Sequence, residues 1–196
     1  VPTRPVRLTG WGRIAPTRAG LAAPASDAEA AALLRYLAVP AAGKAGPAIA
    51  RGLGRSYNNA AQSAGGVVIS TSKLNNIISL DPATGIVVAE AGVSLEQLMV
   101  AGLPHGWFVP VSPGTRQVTV GGAIAADVHG KNHHMAGSFA SHVTSFDILF
   151  PHADQAEPHT VTPEGDPELF WATAGGMGLT GFITRATIKL KRVETS

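Results

Sequence analysis

The run Ala48-Ile49-Ala50-Arg51-Gly52-Leu53-Gly54-Arg55-Ser56-Tyr57 constrains this chain more than any other segment. Three residues apolar enough for a short buried strand lead without a break into a loop with two glycines one residue apart. Glycine lets a backbone approach a ligand closely, and successive N–H groups in such a loop form a nest for an anion. Two standard phosphate-binding arrangements can be tested here, and both fail. The Rossmann fingerprint needs a third glycine where Tyr57 stands, and a helix where Tyr57-Asn58-Asn59-Ala60 runs on towards Gly65-Gly66. A P-loop needs Gly-Lys followed by Ser or Thr, whereas Gly130-Lys131 precedes Asn132 and position 125 is Ala. An ordinary strand-to-loop turn stands beside the anion nest as a reading of this segment.

A second loop has the same character. Pro113-Gly114-Thr115-Arg116-Gln117-Val118-Thr119-Val120-Gly121-Gly122 is bounded by glycine and enters a helix-competent run, Ala123 to Val128. Threonine hydroxyls, exposed amides and a helix dipole would together hold a phosphate or a flavin ring edge. A helix start with tight packing is the plainer reading. Two such loops in 196 residues point towards a large bound anion.

The third candidate is His129-Gly130-Lys131-Asn132-His133-His134. His129 and His133 have the spacing of two metal ligands on one helix face. However, Gly130 stands where a zincin would carry Glu and argues against a continuing helix, and Lys131 repels a divalent cation. No metal ligand is assigned. His129 and Lys131 read better as donors and cations beside an electron-rich cofactor or an anionic substrate. Surface or hydrogen-bonded histidines are the bland alternative, and His105, His142, His152 and His159 take it.

Around these loops the periodicities give an α+β chain. Ser26 and Glu29 form a capping box for a helix over Ala28–Leu37, and Ser94 with Gln97 opens another through Ala101. Asp166-Pro167-Glu168 caps a third over Leu169–Ala174, whose Phe170 and Trp171 read as core. Gly66–Ser70 and Val143–Phe150 are strands, Ile77–Leu80 and Ile86–Ala91 form a hairpin, and Pro40–Gly46 is a loop. In the last strand Phe182, Ala186, Ile188 and Leu190 alternate with Arg185, Thr187, Lys189 and Lys191, which predicts one basic, wet face. Residues 1–20, rich in Pro, Arg and Gly, are expected to be an extended arm over the body. Subdomains are expected over 21–110 and 111–196, with the boundary where composition shifts after Pro110.

Composition limits what these elements serve. Charged residues are only 14%, against about 25% in an average globular protein. Their balance, 15 basic to 13 acidic, excludes a nucleic-acid surface as the main function. With no cysteine there is no disulfide, no Cys-ligated zinc and no thiol chemistry. No apolar run approaches the roughly 18 residues of a membrane span. Arg4, Arg7, Arg13 and Arg18 interrupt the first 20 residues, so no signal peptide is expected either.

Together, the loop at 50–57, the Pro-Gly-Thr…Thr-Val-Gly-Gly segment, the HGKNHH run and Glu168-Leu169-Phe170-Trp171-Ala172 with Gly175-Gly176-Met177-Gly178-Leu179-Thr180-Gly181 resemble one family. It is the vanillyl-alcohol-oxidase family of FAD-dependent oxidoreductases, nearest its branch acting on decaprenylphosphoryl ribose in actinobacterial arabinan synthesis. The resemblance runs from Leu8-Thr9-Gly10-Trp11-Gly12-Arg13 to Arg185-Ala186-Thr187. It implies a PCMH-type FAD-binding fold, two α+β subdomains with FAD between them, followed in the family by a substrate domain beyond Ser196.

By motif match, Ala50, Arg51, Gly52, Leu53, Gly54, Arg55, Ser56, Tyr57, Asn58, Asn59 and Ala60 would wrap the FAD diphosphate. Gly114, Thr119, Val120, Gly121, Gly122, Ala126, Asp127, Val128 and His129 would contact the cofactor further along, and Ile183 its adenine-side half. Tyr57, His129 and Lys131 match positions near the isoalloxazine and substrate, and carry the catalytic expectation. Relatives that anchor FAD covalently use a His where Arg55 stands, so non-covalent FAD is implied. His152–His159 lacks the Asp-Gly hairpin of relatives.

The implied reaction oxidises the ribose 2-hydroxyl of a polyprenyl-phosphate sugar to a ketone, with a reductase partner completing an epimerisation. The implied place is the cytoplasm or the cell envelope, with peripheral membrane association through the lipid-linked substrate. An alditol or sugar-lactone oxidase of the same superfamily, a His-ligated metal hydrolase and a non-catalytic binding module are the alternatives.

Overall fold

The computed structural model describes residues 3–38, 47–151 and 157–194. The Pro40–Gly46 loop and His152 lie outside the described residues, as does most of the His152–His159 segment.

Four strands make the first sheet: β1 (Arg4–Leu8), β2 (Thr17–Ala22), β3 (Ala48–Arg51) and β4 (Val67–Ser70), in the order β1-β2-β4-β3. β4 runs parallel to both neighbours, and the continuous apolar run Val67-Val68-Ile69 fits a strand buried on both faces. Val68 packs with Ala19 and Ile49 on one side. Val67 and Ile69 pack on the other against Ala30, Ala31, Leu33 and Leu34 of helix α1 (Asp27–Ala38). The Glu29 N–H donates to the Ser26 hydroxyl, and the Glu29 carboxylate accepts from the N–H of Ala25.

The first 20 residues are not an arm. Arg4–Leu8 and Thr17–Ala22 form the antiparallel β1–β2 hairpin, with Arg7 opposite Arg18. Pro5 and the arginines disguised this edge, because an edge strand tolerates proline and charge where a central strand does not.

The second sheet is antiparallel, ordered β5-β6-β10-β8-β9 from β5 (Ile77–Leu80), β6 (Ile86–Glu90), β8 (Val143–Leu149), β9 (His159–Val161) and β10 (Phe182–Lys189). Its core joins Ala89, Phe146 and Ile188 to the buried faces of α2 (Leu95–Gly102), α3 (Val120–Ala125) and α5 (Pro167–Thr173). β7 (Trp107–Phe108) pairs with β11 (Lys191–Arg192), and α4 is the single turn His133–Ala136. The change of sheet falls between Ser70 and Ile77, ahead of the boundary expected after Pro110, because β6 is held edge to edge by β10. Phe170 is core as expected, while Trp171 faces solvent.

The expected wet face of the last strand needs correction at Arg185. Its guanidinium pairs with Asp147 on β8 at 3.0 Å and with Asp27 in the first turn of α1. That face is therefore turned towards α1, which also packs on Leu149 and Phe182.

Candidate functional site

Parallel strands β3 and β4 end side by side, and ligands of such sheets bind outside the carboxyl ends of their strands. There the structure opens a cleft of about 530 Å³, within the size range of small-molecule sites. Its walls come from both glycine loops, from Trp11, from the end of α3, and from Met177, Gly178, Gly181 and Ile183.

The first loop keeps its backbone donors free. Among the described residues, nothing accepts a hydrogen bond from the N–H groups of Gly52, Leu53, Gly54, Arg55, Ser56 or Tyr57. The αL conformation of Gly54, at φ 69°, supports this turn and brings its Cα close over the Arg51 guanidinium. The N-terminal segment lies along the other side: Trp11 N–H donates to the Ser56 carbonyl at 2.7 Å, and the Arg55 guanidinium sits 4.6 Å from the Trp11 ring centroid.

The second loop is different, and here the expectation of exposed helix amides is corrected. Helix α3 begins at Val120, three residues before the predicted run, with Thr119 as its cap. The N–H groups of Val120 and Gly121 donate to the carbonyls of Val93 and Ala91, both at 2.8 Å, and that of Gly122 donates to the Thr119 hydroxyl. Packing the helix start onto the Ala91–Val93 turn consumes the donors. What this loop contributes is shape: Gly114, Gly121 and Gly122 present no side chain to the cleft.

Charge in the cleft has one sign. Arg51 and Arg55 line it, no aspartate or glutamate does, and neither arginine pairs with a carboxylate among the described residues. Arg51 is half-buried, and desolvation pulls its pKa below the ordinary arginine value. Its guanidinium donates to the carbonyls of Thr9 at 2.7 Å and Ala61 at 3.0 Å, fastening both sides of the loop. The hydroxyl of Thr71, also on the wall, is buried without a partner.

Ala50 to Asn58, Ala60, Gly114, Thr119, Gly121, Gly122, Ala126, Val128 and Ile183 all reach the cleft. Asn59, Val120, Asp127, His129 and Lys131 do not line it. Val120 is wholly buried in the core. Asp127, at φ 37°, ends α3 and accepts the Ala140 N–H at 3.0 Å. His129 follows Val128 and is exposed, bridged in extended conformation to Ser138; Lys131 is exposed beyond it. Sequence reasoning missed Trp11, Thr71, Val118, Met177 and Gly181 as wall residues. For Trp11 and the Gly175–Gly181 turn the signal was present, since both stand in the motifs that carry the family resemblance, where no site role was assigned to them.

The metal reading loses its geometry. α3 ends at Ala125 and α4 starts at His133, so His129 and His133 share no helix face. Their rings stand edge to face at 5.6 Å, the His133 ring meets the Gly130 carbonyl, and among the described residues no three His or carboxylate groups converge for a metal.

Residues 18–156 match the family described as FAD binding domain. The chain belongs to that family. Along its whole length it is 54% identical to decaprenylphosphoryl-beta-D-ribose oxidase of Mycolicibacterium smegmatis, 41% of whose length it covers. It is 29% identical to a D-lactate dehydrogenase of Archaeoglobus fulgidus over 85% of this chain and 37% of that one. It is 30% identical to L-gulonolactone oxidase 3 of Arabidopsis thaliana over 64% of this chain and 22% of that one. The chain thus spans about two fifths of the length of the oxidase it matches throughout.

FAD is the cofactor of this family, and the cleft fits it. Free loop amides and two arginines without carboxylate partners among the described residues suit a diphosphate, apolar walls suit a flat ring, and the buried Thr71 hydroxyl has no hydrogen-bond partner. Among the described residues no helix is long and apolar enough to cross a membrane.

Proposed function

We propose that this chain is the FAD-binding part of an oxidoreductase that converts the 2-hydroxyl of decaprenylphosphoryl-β-D-ribose to a ketone. Identity of 54% along the entire chain to a decaprenylphosphoryl ribose oxidase carries the reading. Likeness to a gulonolactone oxidase is lower and covers less of the chain, so lactone oxidation ranks second.

When bound, FAD supplies the acceptor for the carbinol hydride. The chain's own work is to hold and shield it. The N–H groups of residues 52–57 bind the diphosphate, while Arg51 and Arg55 supply positive charge without carboxylates to compete for it. Val118, Ala125, Val128 and Ile183 keep water off the ring, which strengthens every polar contact inside. The hydroxyl proton must pass to a base as the hydride leaves. On this chain Tyr57, on the lip of the cleft, and His129 and Lys131, just past Val128, are the groups to hold that proton or the substrate phosphate.

FAD is held without a covalent bond in this reading: Arg55 takes the place of a linking histidine, and among the described residues no histidine lines the cleft. A lipid-linked substrate brings the protein to a membrane surface, and a reductase consumes the keto sugar to complete an epimerisation.

Acid precipitation of the purified protein tests the cofactor, with a flavin spectrum expected beforehand and the flavin expected in the supernatant afterwards. Bleaching of the flavin band by decaprenylphosphoryl ribose, but not by alditols or lactones, tests the substrate. Bleaching only by the latter would replace the reading.

A further inference from the structure

Two buried hydroxyls among the described residues lack a hydrogen-bond partner, those of Thr71 and Thr184. Thr184 sits wholly inside the second sheet, on the central strand β10. Thr71 is different, because it is both buried, at 5% exposure, and part of the cleft wall. It follows the last residue of β4, at the carboxyl end of the parallel pair, and its N–H donates to the Arg51 carbonyl at 3.0 Å. That bond fixes Thr71 beside the start of the loop whose amides are free. Its own carbonyl is engaged by the N–H of Leu74 at 2.9 Å, and the carbonyl crowds against Gly92, where a Cβ would not fit. The backbone of Thr71 is thus held at both ends, and only the hydroxyl is left over.

A buried hydroxyl without a partner is destabilising, so its retention at a ligand-facing wall needs a reason. Valine would fill the same volume, suit the end of a strand and leave nothing unsatisfied. We infer that Thr71 is a cofactor-positioning residue: its hydroxyl takes its missing hydrogen bond from a polar atom of the bound dinucleotide, beside the Gly52–Tyr57 loop. This rests on the reading of the cleft as an FAD site.

The inference makes Thr71→Val act with opposite signs in the two states of the protein. Without ligand the variant loses an unsatisfied group and should unfold at the same temperature as the parent or a higher one. With FAD it loses a hydrogen bond, and Kd should rise about tenfold. Thr71→Ser, which keeps the hydroxyl, should bind FAD within about twofold of the parent. The experiment is fluorescence titration of the flavin-stripped protein and both variants with FAD, alongside their unfolding temperatures without it. A merely structural threonine would lower the ligand-free unfolding temperature of Thr71→Val and leave Kd of the folded protein unchanged, which overturns the inference. Equal Kd for parent, Val and Ser variants also overturns it while leaving the FAD reading intact. A parent protein that takes up no FAD overturns the reading itself, and the inference with it.

Discussion

Gly52 lies against the side chain of Thr119, with no room for a Cβ: one placed there would overlap the hydroxyl and stand 3.0 Å from the methyl carbon. The two glycine loops, 67 positions apart in the chain, meet at this point, and the helix α3 cap is one of the surfaces in contact. The close approach sets the spacing of the cleft's opposing walls.

Gly52→Ala should therefore damage binding more than folding. Overpacking of this kind costs about 1–3 kcal/mol, and the strain falls between two loops that can separate. FAD affinity is expected to fall at least about tenfold, read by flavin fluorescence titration. Thr119→Ala alone loses the cap on the Gly122 N–H, worth about 1 kcal/mol. In the Gly52→Ala background it also relieves most of the clash, leaving only the Thr119 Cβ at 3.2 Å, so the double variant should bind FAD better than additivity predicts. Additive losses would mean that the two residues are not coupled.

What the sequence made legible was local. The Ser94–Gln97 capping box forms in both directions, Asp166 caps α5, and the hairpin over 77–90 turns where its Asp-Pro-Ala-Thr-Gly predicts. Each is decided within a few residues by side chains that compete for backbone donors. The loop at 51–57 was legible for the same reason. The sheet order was not, because nothing near Pro5 or Arg7 records that they will form the outer edge, with β2 between them and β4. Nor was the occupation of the α3 amides, which depends on the Ala91–Val93 turn, far earlier in the chain. Thr71 was invisible as a wall residue since its place follows from the parallel register of β3 and β4.

Arg185 ties the two sheets' elements together through Asp27 and Asp147, all three partly shielded from water. Arg185→Met would leave two carboxylates facing each other without their cation. A loss of about 2 kcal/mol is expected, or a fall in Tm of about 4–8 °C for a chain of this size. Calorimetry of the variant checks it. Changing Asp27 and Asp147 to Asn in the same variant should return part of the loss, which a purely steric role for Arg185 would not allow.

Acid should loosen the β5–β6 hairpin through Asp81. Its carboxyl is held below the usual range first by the hydrogen bond from the Thr84 hydroxyl, at 2.6 Å, and then by the N–H of Ala83, with Lys189 adding a smaller attraction. A carboxyl with a lowered folded pKa contributes stability that is fully present above its unfolded value, about 3.9, and is lost as pH falls through the folded one. Asp81→Asn should therefore flatten the acid side of the stability curve while changing the neutral side less. Thermal unfolding followed across that range reads the slope difference; identical slopes for both proteins would remove Asp81 from the acid response.

Arg51 should prove to be a clamp that lysine cannot replace. Its guanidinium reaches two carbonyls on opposite sides of the glycine loop, Thr9 at 2.7 Å and Ala61 at 3.0 Å, and passes beneath Gly54 on the way. A planar fork spans two such acceptors at once; an ammonium is a compact point charge with a full hydration shell and meets one at a time. Arg51→Lys preserves the charge in the cleft but leaves one half-buried carbonyl unpaired, for an expected loss of about 1–2 kcal/mol. The released N-terminal segment should also carry Trp11 away from the Ser56 carbonyl, so backbone hydrogen exchange at Trp11 should quicken. FAD affinity should drop with it, since the loop amides lose their fixed direction although the charge remains. If Arg51→Lys binds FAD as the parent does while Arg51→Met does not, charge alone is what Arg51 supplies, and the clamp is refuted.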